Sequence, residues 1–131
     1  MTKIPFNTVI KKLRYERVLL VGGGGFIGHH LATELRKHHV TAMVVDNMMV
    51  NSLVDNTFYD GGDVSKRNLN LHFLMSRFEL MRELGVEFRN CDARNFADLA
   101  NVFKDFSPTK VIHLAAIASA VEARKNPGMC F

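Results

Sequence analysis

The stretch Val18-Leu19-Leu20-Val21-Gly22-Gly23-Gly24-Gly25-Phe26-Ile27-Gly28 decides the fold. Its first four residues are apolar and rich in strand formers. The residues after Gly28, His29-His30-Leu31-Ala32-Thr33-Glu34-Leu35-Arg36-Lys37, carry a helical pattern. Strand, glycine turn and helix in that order form the setting in which a backbone turn holds the phosphates of a dinucleotide. Gly22 lets the chain turn sharply off the strand. Gly25 lets the backbone approach a pyrophosphate where a Cβ would intrude, and Gly28 lets the helix sit close to the sheet. The first N–H groups of the helix have no intrahelical partner, and the helix dipole adds partial positive charge, so both favour phosphate.

Outward from this turn the chain alternates strand and helix. Residues 17–22 read as the first strand, 26–38 as a helix, and Thr41 to Val45 as the second strand, with Asp46 at its end. From Asn47 to Asn68 the chain is polar and irregular, longer than most connections, which predicts a functional or a mobile loop. Leu69 to Leu84 has a helical period with two apolar faces. One carries Leu71, Leu74, Met75, Phe78 and Met81, and the other carries Leu69, Phe73, Leu80 and Leu84. A helix on a sheet needs one such face. The second is expected to meet the long loop, a partner subunit or further chain. Gly85 is placed as a C-cap.

Val86 to Asn90 alternates as a third strand. Asn95 caps the next helix, with Asp98 in its first turn and Phe96, Leu99, Ala100, Phe103 and Phe106 on its buried face. Ser107-Pro108 stops it. Lys110 to Ala116 is a fourth strand, in which His113 is expected to be a packed core residue. A short helix through Glu122 to Lys125 follows, broken by Asn126-Pro127-Gly128. The resulting fold class is α/β, a Rossmann-like parallel sheet of order 3-2-1-4 with right-handed crossovers and helices on both faces. Residues 1–16 are a basic lead-in and 17–131 the nucleotide-binding unit. The glycine turn, Asp46, Asp92 and Ala115 to Ala118 then all fall at the carboxyl ends of strands, where such sheets bind ligands.

Composition narrows the class. The chain has 131 residues and a net charge of +4, with its basic residues scattered. No Lys/Arg run is interleaved with aromatics, so no nucleic-acid partner is expected. No apolar stretch is long enough to span a bilayer. Met1 to Arg17 lacks a signal-peptide core. It reads as a basic lead-in, with an organelle transit peptide as the alternative reading of its stripe Val9, Ile10 and Leu13. Cys91 and Cys130 are the only cysteines, which suggests reduced thiols and a cytoplasmic setting. His29-His30 and His38-His39 are adjacent pairs with no His-x-x-x-His spacing, so no metal site is expected.

Asp46 follows Gly28 by about twenty residues, the spacing at which an acid accepts from the adenosine ribose hydroxyls. A carboxylate there repels a 2′-phosphate, and no Arg or Lys lies between Asp46 and Asp63, so the expected cofactor is NAD rather than NADP. The competing reading is a plain loop aspartate. Asp92 reads equally as an acceptor for the adenine amino group or as a turn residue near Asn95. Leu114, Ala115 and Ala116 either let a cofactor pass close to the backbone or serve helix–sheet packing.

Four motifs in order resemble the extended short-chain dehydrogenase/reductases, and more narrowly the NAD-dependent sugar-nucleotide epimerases and dehydratases. They are the turn at 18–28, Val45-Asp46-Asn47, Cys91-Asp92-Ala93-Arg94-Asn95, and Val111-Ile112-His113-Leu114-Ala115-Ala116. The resemblance runs from about Arg17 to about Pro127. It implies that Phe26 and Ile27 lie under the pyrophosphate through their backbone, in the turn shaped by Gly22, Gly25 and Gly28, and that Asp46 holds the ribose, with Asn47, Met48 and Asn51 beside it. It implies that Asp92 and Ala93 flank the adenine, and that Leu114, Ala115, Ala116 and Ala118 run along the nicotinamide half. A nucleotide sugar is the implied partner of the intact family member.

Two departures matter. The residue before the first glycine is usually Thr and is Val21 here. The family moves a substrate proton with a Tyr-x-x-x-Lys pair, and neither Tyr15 nor Tyr59 has a Lys four residues later. No catalytic residue is therefore assigned. The expectation is a truncated, N-terminal cofactor-binding half that is inactive alone. A non-catalytic NAD sensor and an inactive truncated product are the alternatives. Self-association is expected, through an open sheet edge at the fourth strand or through the Leu69–Leu84 helix.

Overall fold

The computed structural model describes residues 6–50, 52, 57, 63–116, 124 and 128. In chain order the elements are α1 (Phe6–Leu13), β1 (Arg17–Val21), α2 (Phe26–Lys37), β2 (Thr41–Asp46), α3 (Val64–Glu83), β3 (Glu87–Asn90), α4 (Phe96–Phe106) and β4 (Lys110–His113). The four strands are parallel and lie in the order β3-β2-β1-β4, as the alternation of strand and helix predicts.

The central strands are buried on both faces, so their side chains sort by parity. Val18 and Leu20 of β1 and Ala42 and Val44 of β2 join Ala32 and Leu35 of α2 and Met81 of α3. Leu19, Val21, Met43 and Val45 point the other way and meet Val102 and Phe106 of α4. Two apolar cores therefore sandwich the sheet, which is why both central strands read as unbroken apolar runs.

Helix ends are set by named residues. Asp63 caps α3, its Oδ1 accepting from the N–H groups of Ser65 at 2.8 Å and Lys66 at 3.3 Å. The helix consequently starts at Val64, inside the segment expected to be irregular to Asn68. That expectation missed the cap because Ser65 to Asn68 are polar and carry no apolar period. Asn95 caps α4 by accepting from Asp98 N–H at 3.3 Å, as expected. Gly85 follows α3 at φ +70°. Beside it, Arg36 donates through Nε to the Leu84 carbonyl at 3.0 Å, tying the ends of α2 and α3 together.

Three further expectations are corrected. The buried face of α4 is Leu99, Val102 and Phe106, whereas Phe96, Ala100 and Phe103 are exposed. The helix is apolar over a wider arc than the sheet beneath it covers. Met75 of α3, expected on its buried face, is exposed as well. His113 is exposed rather than packed, because β4 is the last strand of the described sheet and pairs on one side only, with β1. The basic lead-in contains α1, and its Leu13 packs against the core shared by α2 and α3. The expected short helix at 122–125 and Asn126-Pro127 lie outside the described residues, apart from Arg124.

Candidate nucleotide-binding site

The glycine turn is built by contacts from three strands. Val45 carbonyl accepts from Gly22 N–H at 2.7 Å, and Val21 carbonyl accepts from Leu114 and Ala115 N–H at 2.7 and 3.0 Å. Gly22 takes φ +76°, and a Cβ there would lie 2.4 Å from Ala115 N. Both the backbone angle and the space therefore require glycine. A Cβ on Gly28 would lie 2.4 Å from Gly23 Cα. Gly28 thus permits close packing, but against the turn itself.

Gly25 differs from these two. It is the N-cap of α2, in extended conformation and with no side-chain cap. A Cβ built on it would meet nothing within 4 Å. Next to it, Phe26 and Ile27 are each 68% exposed. The first turn of α2 therefore presents backbone N–H groups, without a capping side chain, to open space at the carboxyl edge of the sheet. An anionic group fits that arrangement.

Asp46 closes the other side. Its Oδ2 accepts from Gly24 N–H at 2.9 Å and its Oδ1 from Met48 N–H at 2.8 Å. A carboxylate offers about four lone-pair positions, so one on each oxygen is left after these bonds, enough for a pair of vicinal hydroxyls. Met48 adopts φ +56° and is buried. Its Sδ stands 2.9 Å from the position of a Cβ on Gly24. Met48, two residues past the end of β2, thus walls the turn through its side chain.

Asp92 is occupied. Its Oδ1 accepts from Arg94 N–H and Nε, both at 2.9 Å. Its Oδ2 accepts from Arg94 Nη2 at 2.6 Å and from Asn47 Nδ2 at 3.1 Å. The Arg94 guanidinium, above all, holds the Asp92 carboxyl well below the usual carboxylate range. All four of its acceptor positions are in use. An adenine amino group, as the sequence expects here, would have to displace Arg94 or Asn47 to reach this carboxylate. Arg94 also supplies a cation beside Asn47 that a search confined to residues 46–63 could not find.

The remaining predicted positions surround these groups. Ala93 and Ala115 pack against the core under α4, and Leu114 packs against the core under α2 and α3. Ala116 is exposed. Asn51, Ala118, Tyr59 and Cys130 lie outside the described residues. Tyr15 is exposed after α1. Among the described residues, no three His, Cys, Asp or Glu side chains converge as metal ligands do.

One residue of the first turn of α2, weighed in the sequence only as a metal ligand, has a structural role at the glycine turn. His29 is buried, and its ring Nδ1 lies 3.0 Å from the Gly25 carbonyl, which also accepts from the His29 backbone N–H at 3.1 Å. Read with Nδ1 as donor, the ring fixes the carbonyl that turns the Gly25 cap outward. Burial lowers the His29 pKa, which keeps the ring neutral in this setting. A histidine next to a glycine turn signals charge at first sight, and only the three-dimensional contact shows this neutral bracing role.

The model of the NAD dependent epimerase/dehydratase family matches residues 18–130. Human UDP-glucose 4-epimerase is 30% identical over 112 residues, covering 86% of this chain and 28% of the relative. The bifunctional protein gal10 of Schizosaccharomyces pombe is also 30% identical over 112 residues, 86% of this chain and 13% of its own length. The chain therefore spans less than a third of the length of these relatives. A crystal structure of Thermus thermophilus UDP-glucose 4-epimerase in complex with NAD superposes with a TM-score of 0.56 at 29% identity, covering 88% of this chain and 29% of that one. Fold, turn geometry and sequence match agree, and the chain belongs to the NAD-dependent epimerase/dehydratase family.

Proposed function

We propose that these 131 residues are the NAD-binding part of a sugar-nucleotide epimerase or dehydratase. One observation carries the reading: the α2 N-terminus, open at Gly25, stands beside an Asp46 carboxylate that Gly24 N–H and Met48 N–H already orient. The pyrophosphate would rest on the backbone of Gly25, Phe26 and Ile27, with Gly22 and Gly28 shaping the turn. Asp46 would accept from both ribose hydroxyls and repel a 2′-phosphate, with Asn47, Met48 and Asn51 beside it. Asp92 and Ala93 would flank the adenine, and Leu114, Ala115, Ala116 and Ala118 the nicotinamide half. When bound, NAD supplies a reversible hydride acceptor for a sugar carbon bearing a hydroxyl.

A nucleotide sugar is the substrate class of the longer protein. The relatives named UDP-glucose 4-epimerase support this, as does the epimerase structure that holds NAD. A binding role without catalysis for these residues rests on the sequence, where neither Tyr15 nor Tyr59 opens a Tyr-x-x-x-Lys pair. A cytoplasmic setting is part of the proposal, supported by the free, buried thiol of Cys91. No helix among the described residues is long and apolar enough to cross a membrane. Self-association, through the β4 edge or through α3, completes it.

Calorimetric titration tests the central claim. NAD is expected to bind and NADP to bind at least about tenfold more weakly. Asp46→Ala is expected to weaken NAD by about tenfold or more and to narrow the gap to NADP. No heat from either dinucleotide with the folded chain would remove the reading.

A further inference from the structure

Helix α3 carries more apolar surface than its packing uses. Leu74 and Met81 are buried toward the sheet. Leu69, Phe73 and Leu80 lie on the other side and are 52%, 53% and 38% exposed. Exposed Ser76 sits in the same row. Positions 66, 69, 73, 76, 80 and 83 follow the alternating three- and four-residue spacing of a coiled-coil seam. The seam therefore reads Lys66, Leu69, Phe73, Ser76, Leu80, Glu83. Lys66 and Glu83 are both exposed, and neither forms an ion pair with another described residue.

We propose that α3 pairs antiparallel with α3 of a second copy of this chain, about a twofold axis level with Leu74 and Met75. This rests on the self-association inferred above and fixes its face and register. In that register every layer is complementary. Lys66 meets Glu83 of the second copy, and Leu69 meets its Leu80. Phe73 fills the gap over its Ser76. The twofold repeats these three layers in reverse, giving a self-complementary contact about 26 Å long. Beside the seam, Asn70 comes opposite Arg77 and His72 opposite Glu79, so no like charges face each other. Charge selects this arrangement over the parallel one, in which Lys66 would meet Lys66 and Glu83 would meet Glu83 at every pairing. The β4 edge, which pairs on one side only among the described residues, offers no comparable selectivity, since its exposed residues are Lys110, Val111 and His113.

Sedimentation of the full 131-residue chain over a concentration series tests the pairing, with circular dichroism confirming the fold of each variant. The wild type is expected to show a reversible monomer–dimer equilibrium. Lys66→Glu and Glu83→Lys each place like charges at both ends of the seam and are expected to weaken the dimer by about tenfold or more. The double variant Lys66→Glu/Glu83→Lys is expected to return to within about twofold of wild type. An equimolar mixture of the two single variants is expected to form heterodimers, because every charged layer is then complementary. Val111→Lys at the β4 edge is expected to change nothing. A chain that stays monomeric up to ~100 μM overturns both self-association and the α3 pairing. A dimer indifferent to both single variants, or one that neither the double variant nor mixing restores, keeps self-association and overturns the α3 register.

Discussion

His29 shows how one side chain can shape the glycine turn from within the following helix. Its buried ring braces the Gly25 carbonyl, and its pKa is lowered chiefly by burial, with the charges of His30 and Arg77 adding to the effect. The unfolded chain, with the ordinary value of 6.5, binds a proton before the folded one does. Stability present above that pH is therefore lost as the pH falls below it. His29→Asn is expected to flatten that slope, measured as denaturation midpoints between about pH 8 and pH 5. An unchanged slope would mean that the ring titrates freely. Asp92 behaves in the depressed-carboxylate sense. Its contribution is held above the ordinary carboxylate value of 3.8 and is lost as the pH falls through its lower folded value. Gly22→Ala is expected to cost about 3 kcal/mol or more, since it meets both a positive φ and the Ala115 backbone. Urea denaturation reads that loss directly. The turn glycines and the place of Asp46 at the end of β2 were legible in the sequence because a strand, a tight turn and a helix leave few backbone alternatives. His29 and Arg94 were not, because their partners are set by side-chain direction and by a neighbouring strand.

Elements were legible where apolar period and cap agree. Helix α2 and the four strands follow from their patterns, and α4 from Asn95 and Ser107-Pro108. The start of α3 was missed because its first turn is held by Asp63 and not by apolar contacts. Asp63→Ala is expected to cost about 1 kcal/mol. Amide exchange at Ser65 and Lys66 should then rise several-fold while the Met81 end stays protected, whereas uniform acceleration along the helix would show that the cap acts globally. The apolar width of α4 misled the reading of its buried face. Two phenylalanines on a helix flank look like core in a periodicity count, and only the extent of the sheet tells them apart.

At the scale of the molecule, strand order 3-2-1-4 follows from alternating strands and helices together with the handedness of crossovers. What that rule does not supply is what covers the ends of the sheet, and the exposure of His113 is a product of that boundary. The same order places Asp46, Asp92 and the glycine turn at one carboxyl edge, so the proposed ligand would hold three strands at once. Saturating NAD is accordingly expected to stabilise the chain by RT ln(1 + [L]/Kd), about 2.7 kcal/mol at a hundredfold excess over Kd. A thermal shift with NAD that survives Asp46→Ala undiminished would place the ligand elsewhere.

The contact between Gly22 and the segment after β4 has a consequence for biosynthesis. The carbonyl of Val21 is satisfied by Leu114 and Ala115, so the turn near the start of the chain acquires its back wall only when β4 has docked. A nascent chain emerging from the ribosome can complete α2 early, yet it has no finished glycine turn until Ala115 has emerged. If the proposed site is correct, dinucleotide capture by stalled chains of increasing length is therefore expected to switch on abruptly at that point.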